Sequence, residues 1–291
     1  MENETRSPLI DVATLAARAG DPRLRIVDLR WSLGGTPQAE KYERGHLPGA
    51  ALVSMEGELS RPGHGPGRHP LPPAADFAAL LARIGVGEQT EVVVYDDATG
   101  ASAARFWFML RLHGHPRARV LDGGFAAWLQ AGLPLEAGAG EPPASAPLRQ
   151  LSRAEALLID KAGVAATMAL RGQPGAQALL LDARAAERYR GDVEPIDRRA
   201  GHIPGAVNAP FADNLSDGRF RSPDDLRARY ESLGAGAAAQ VIASCGSGVT
   251  ACHTLLALAA AGLPAGRLYV GSWSDWSSDP AAPIATGPQP G

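Results

Sequence analysis

The chain has 291 residues, 45% of them hydrophobic and 20% charged, with 28 Lys and Arg against 31 Asp and Glu. That length is ample for two domains, and a net charge of -3 excludes a general electrostatic pull toward nucleic acid or an anionic membrane. No run approaches the ~18 consecutive apolar residues of a membrane span, the start "MENETRSPLI" lacks the basic-then-apolar order of a secretory leader, and two cysteines seven positions apart make no disulfide framework, so a reducing cytoplasm is expected.

Taken along the chain, "RIVDLR" reads as a short buried strand, followed by the turn-rich "GHLPGAALV" and the helical "DFAALLARIGV". The apolar strand "EVVVYDD" then leads through a loop beginning at Asp96 into "ARFWFMLRLHGH". There Arg105, Trp107 and Phe108 fall at helical spacing and are expected in the core. A strand and helix, "ARVLDGGFAAW", close this half. The stretch 136–150, "EAGAGEPPASAPLRQ", is rich in Pro, Ala and Gly without periodicity and reads as a linker.

The same order then repeats: "LLLDARAAERY", "GHIPGAVNAPF", "DDLRARYESLGA", "QVIASCG", "TACHTLLALAAAGLP" and "GRLYVGSWSDW". A duplicated unit with alternating short strands and helices predicts an α/β protein of two tandem domains, each a parallel sheet flanked by helices. The expected boundaries are 1–135 for the first domain, 136–150 for the linker and 151–291 for the second.

The duplication acts as an internal control. Features in both copies, such as the Asp28/Arg30 and Asp182/Arg184 pairs and the "GH-x-PGA" turns with His46 and His202, read as fold maintenance. What one copy has alone is a candidate for chemistry, and the loop "CGSGVT" is such a feature: where the second copy has Cys245, the first has Asp96. A loop of small residues entering a helix turns backbone N–H groups inward at the positive end of the helix dipole, which stabilises an anion at its centre. Gly246 and Gly248 let the backbone curl, Ser247 and Thr250 offer hydroxyl donors, and Val249 adds its N–H to the cradle. The expected nucleophile is therefore the Cys245 thiolate. Cys252 lies inside the following helix among apolar residues and reads as core, as does His253.

The duplicated unit, "GHIPGA", "CGSGVT" and the terminal "GSWSDW" together resemble the two-domain sulfurtransferases of the rhodanese superfamily over about residues 8 to 285. That resemblance implies an inactive first domain and a second-domain cysteine cycling between thiolate and persulfide. It implies no cofactor and no metal, and the seven His show no ligand spacing. Thiosulfate-preferring members carry Arg and Lys just after the cysteine; here those positions are the neutral Gly246 and Ser247. The loop is instead similar to that of enzymes acting on 3-mercaptopyruvate. In those, Arg188 matches a residue that binds the substrate, and Arg198 or Arg199, in a segment unique to the second copy, is expected to add a second guanidinium. The family's Ser–His–acid relay would place Ser247 beside His46, a second role for a residue that the duplication reads as structural.

The implied partners are a small-molecule sulfur donor and a thiol, cyanide or thioredoxin-like acceptor, with thiosulfate as the alternative donor. Two rival readings are weaker. Cys-dependent phosphatases on this fold carry Arg six positions after the cysteine, where this chain has Ala251, and a purely regulatory module would not need an intact Cys245 loop.

Overall fold

The computed structural model describes residues 7–140, 143–170 and 178–291. The expected domains and linker therefore include residues 1–6, 141–142 and 171–177, which lie outside the described part. The chain forms two compact units. The first comprises residues up to Leu59, Pro73–Arg153 and Asp217–Phe220; the second comprises Ser60–Pro72, Ala154–Ser216 and Arg221–Gly291.

Within the first unit a five-stranded sheet runs in the order Leu9–Ile10, Ala118–Leu121, Glu91–Tyr95, Leu24–Asp28, Ala50–Leu52, every pairing parallel. The second unit repeats the order with Leu158–Ile159, Arg267–Tyr269, Gln240–Ser244, Ala178–Asp182 and Val207–Asn208, again all parallel. Parallel neighbours need crossover connections, so helices cover the sheet and its middle strands are buried on both faces. That is why "EVVVY" and "QVIAS" are apolar runs rather than alternating ones: Val92 to Tyr95 and Val241 to Ser244 are all buried.

The shared motifs do shared work. His46 and His202 are both fully buried, with Nδ1 on the carbonyl oxygens of Tyr42 (2.9 Å) and Tyr189 (2.8 Å). Each imidazole stacks on that same tyrosine at 3.7 Å. Arg30 and Arg184 each grip the aspartate two residues earlier at 2.7 Å and donate to the carbonyl of the glycine preceding the histidine, Gly45 or Gly201, also at 2.7 Å. Each pair clamps a turn to a strand end, so a buried charge is neutralised and hydrogen-bonded at once. Part of the stretch 136–150 packs on the first unit: Glu136 bridges His46, and the Ala146 N–H reaches the Ala82 carbonyl at 2.9 Å.

Candidate active site

Cys245 follows directly on the strand Gln240–Ser244, at its carboxyl end, where sites form in sheets of this kind. The strand lies between Ala178–Asp182 and Arg267–Tyr269, so its end is held on both sides. The loop then turns into the helix Thr250–Ala260. Gly248 has a left-handed φ of +78°, and a Cβ there would lie 2.4 Å from the Val270 carbonyl oxygen. Only glycine allows this turn to press so closely on the neighbouring strand end. The result is a direct contact: the Gly248 N–H donates to Cys245 Sγ at 3.1 Å. The thiol is buried, 2% exposed.

The turn after Arg267–Tyr269 braces the loop. Trp273 and Ser274 donate their N–H groups to the Cys245 and Gly246 carbonyls, both at 2.9 Å. Ser272, a non-glycine residue at φ +50°, accepts from the Cys245 N–H at 3.0 Å and donates to the Tyr269 carbonyl at 2.8 Å. A serine held in the left-handed region costs of order 1 kcal/mol; its two hydrogen bonds hold the backbone of the cysteine in register.

A second segment docks on the same turn. The Arg68 N–H donates to Ser274 Oγ at 3.1 Å, and a Cβ on Gly67, at φ +77°, would lie 2.6 Å from the Gly271 carbonyl. This docking sets two side chains at the loop. His69 Nδ1 meets Ser247 Oγ at 2.7 Å, with both residues buried. The Arg68 guanidinium stands over Gly246: a Cβ there would lie 3.1 Å from Arg68 Nη2 and 3.6 Å from Arg188 Nη1.

The two guanidiniums share acidic partners. Arg188 pairs with Glu194 at 2.6 Å and with Asp197 at 3.5 Å, and Arg68 pairs with the other oxygen of Asp197. Arg184 adds a contact to Glu194 at 3.3 Å. Burial pushes the Glu194 carboxyl up, but hydrogen bonds from Arg188 and the Asp197 N–H outweigh it, and the net shift is below the ordinary value. Burial raises the Asp197 carboxyl despite Arg68 beside it. Asp197 is thus the more readily protonated of the two carboxylates.

The expected site residues distribute as follows. Cys245, Gly246, Ser247, Gly248, Val249 and Thr250 form one loop, with Thr250 opening the helix, and Arg188 reaches Gly246. Arg198 is exposed and lines a cavity of about 360 Å³ with Arg68, Asp197 and Ser274. Arg199 departs from expectation. Its guanidinium is taken up by backbone carbonyls of Ser277 (2.9 Å), Ala282 (3.1 Å), Trp276 (3.4 Å) and Asp279, so it ties the segment to the chain end rather than facing the loop. His46 also departs: it belongs to the first unit, locked on Tyr42, and the imidazole on Ser247 is that of His69. Sequence reading missed Arg68 and His69. The signal was available, because "SRPGHGPGRHPLPP" has no clear counterpart in the second copy, and unshared segments were the rule for finding chemistry. Cys252 is buried, with Sγ on the Gly248 carbonyl at 3.3 Å, which suits a packing role.

The first unit's matching loop has a different filling. Asp96 carboxylate oxygens accept from the N–H groups of Gly100 (2.9 Å), Ser102 (3.0 Å), Ala98 (3.2 Å) and Ala103 (3.3 Å). Its anion cradle is filled by its own side chain.

Two repeated parallel-sheet units, one with a buried thiol in its strand–helix loop and the other with a carboxylate there, define a duplicated two-domain α/β protein. Comparison with known proteins gives the family: residues 11–131 and 165–279 match the Rhodanese-like domain, and the chain belongs to that family. It is 46% identical, over 96% of its length and 98% of the relative's, to a Pseudomonas aeruginosa protein named "Probable 3-mercaptopyruvate sulfurtransferase". It is 43% identical, over 96% and 97%, to a Mycobacterium tuberculosis protein named as a candidate thiosulfate sulfurtransferase, SseB. The crystal structure of SseA from Escherichia coli, among the 3-mercaptopyruvate sulfotransferases, superposes with a TM-score of 0.81 at 34% identity, covering 92% of this chain and 99% of that one. The chain is a sulfurtransferase.

Proposed function

We propose that this enzyme moves the sulfur of 3-mercaptopyruvate through a Cys245 persulfide to a small thiol, cyanide or a thioredoxin-like protein, in the cytoplasm. The supporting observation is the hydroxyl–imidazole pair beside the thiol, Ser247 Oγ to His69 Nδ1 at 2.7 Å. Attack of the Cys245 thiolate on the donor sulfur forms an S–S bond and breaks the C–S bond. The electron pair goes to carbon, leaving the enolate of pyruvate, which must gain a proton. In this reading Ser247, backed by His69, delivers it. Thiosulfate would release sulfite, which leaves with the electron pair and needs no proton, so a buried proton-handling pair favours the carbon donor.

Arg188 takes the donor carboxylate as a charge-assisted partner. The Gly248 N–H, which already meets Sγ, and the loop around it stabilise charge on the sulfur atoms. The acceptor then attacks the outer sulfur and regenerates the thiolate, which makes the cycle ping-pong.

The test is kcat/KM for 3-mercaptopyruvate and for thiosulfate, each with cyanide, beside a Cys245→Ser control. A preference for mercaptopyruvate of about tenfold, some 1.4 kcal/mol of transition-state stabilisation, is expected, with the control inert. A thiosulfate preference, or activity surviving in the control, overturns the reading.

A further inference from the structure

The loop after Cys245 lacks charge in sequence but not in space. Arg68 comes from a distant segment, yet its guanidinium occupies the volume directly over Gly246, 3.1 Å from where a side chain at that position would begin. Arg188 Nη1 lies 3.6 Å from that same point. The two cations therefore bracket the residue next to the nucleophile. Arg68 is held there by its backbone, through Ser274 and the close approach of Gly67 to Gly271, and not only by its ion pair. Its Nε is buried and has no hydrogen-bond partner among the described residues, so the guanidinium has donor capacity to spare. Asp197 is its counter-ion and is shared with Arg188, with one carboxylate oxygen on each.

We propose that Arg68 is a donor-selecting residue: it supplies over Gly246 the second positive charge that a dianionic sulfane donor requires, with Asp197 as the internal anion that such a donor displaces. The inference rests on the persulfide chemistry proposed above and extends its donor range to thiosulfate as a second substrate. In that half-reaction the Cys245 thiolate bonds the outer sulfur of thiosulfate, the S–S bond of the donor breaks, and sulfite leaves with the electron pair. Two guanidiniums match the two charges that thiosulfate brings to the loop, whereas the carboxylate of 3-mercaptopyruvate needs one.

The experiment measures kcat/KM for both donors on the same samples of the full chain, wild type, Arg68→Gln, Arg68→Lys and Asp197→Asn. Because each variant's two rates share one protein sample, their ratio is independent of the fraction folded. Arg68→Gln is expected to lower thiosulfate turnover about tenfold or more beyond its effect on 3-mercaptopyruvate, mostly through KM. Arg68→Lys should recover part of that ratio, since it restores the charge without the fork. Asp197→Asn should shift the ratio toward thiosulfate by removing the competing anion. If Arg68→Gln lowers both donors equally, or wild type uses 3-mercaptopyruvate but not thiosulfate, the selecting role falls while the sulfurtransferase reading stands. If wild type forms no persulfide with either donor, both fall.

Discussion

At the scale of single residues, the proposed site separates charge handling from proton handling. Arg68 and His69 are adjacent in sequence, yet one faces Gly246 and the other Ser247. The backbone bends at both residues, and this one short segment sends its two side chains to neighbouring positions of the Cys245 loop. The two substitutions should then have opposite signatures. His69→Gln removes the imidazole behind Ser247 and is expected to reduce kcat with 3-mercaptopyruvate by roughly 10- to 100-fold, toward the lower end of general acid–base effects because Ser247 remains. With thiosulfate the same variant should lose less than about threefold, since sulfite needs no proton. Equal losses with the two donors, read from initial rates at saturating donor, would show that His69 only packs the loop. The sequence marked their segment as unshared between the copies but did not single out either residue. "GPGRHPLP" carries no periodicity and no recognisable spacing to Cys245, 176 positions beyond His69. The resemblance instead pointed to His46, whose imidazole is consumed by Tyr42.

At the scale of elements, the two strand–loop–helix units are one design with two fillings. Glu91–Tyr95 leads to Asp96 and on to the helix Ala103–Leu112; Gln240–Ser244 leads to Cys245 and on to Thr250–Ala260. This much was legible, because buried apolar strands and duplicated order are strong periodic signals. The sequence also showed that Asp96 cannot act as a thiol, but not that its carboxylate would accept four backbone N–H groups. That depends on loop curvature, which is settled by tertiary contacts. Burial raises the Asp96 carboxyl, and those N–H bonds oppose the rise. Asp96→Ala would leave the four donors without their acceptor inside a buried loop. At about 1–3 kcal/mol for an unmet buried group, partly relieved by entering water, the first unit should lose about 3 kcal/mol. Urea unfolding followed through Trp107 and Trp128, both buried in that unit, reads the loss directly. A change under about 0.5 kcal/mol would mean that the cradle does not depend on its carboxylate.

At the scale of the whole molecule, the duplication and the compact units do not have the same boundaries. The repeat divides the sequence near its middle, but Ser60–Pro72 belongs to the second compact unit and carries Arg68 and His69 with it. On the proposed mechanism the second unit therefore draws Arg68 and His69 from the first half of the chain, so the repeat boundary does not separate a complete site. Residues 151–291 produced alone keep Cys245, Ser247 and Arg188 but lack both residues of that segment. Their kcat/KM for 3-mercaptopyruvate is expected to fall about 10- to 100-fold through loss of the His69 imidazole, and their kcat/KM for thiosulfate at least about tenfold through loss of the Arg68 charge. Adding residues 1–150 as a separate polypeptide should restore most of the rate. The same fragment carrying Arg68→Ala and His69→Ala should bind and stabilise the partner, as seen in a thermal scan, without restoring turnover. That pairing distinguishes a missing active-site segment from a merely unstable fragment: rescue by the doubly substituted fragment, or full activity of residues 151–291 unaided, would show that Ser60–Pro72 contributes packing and not chemistry.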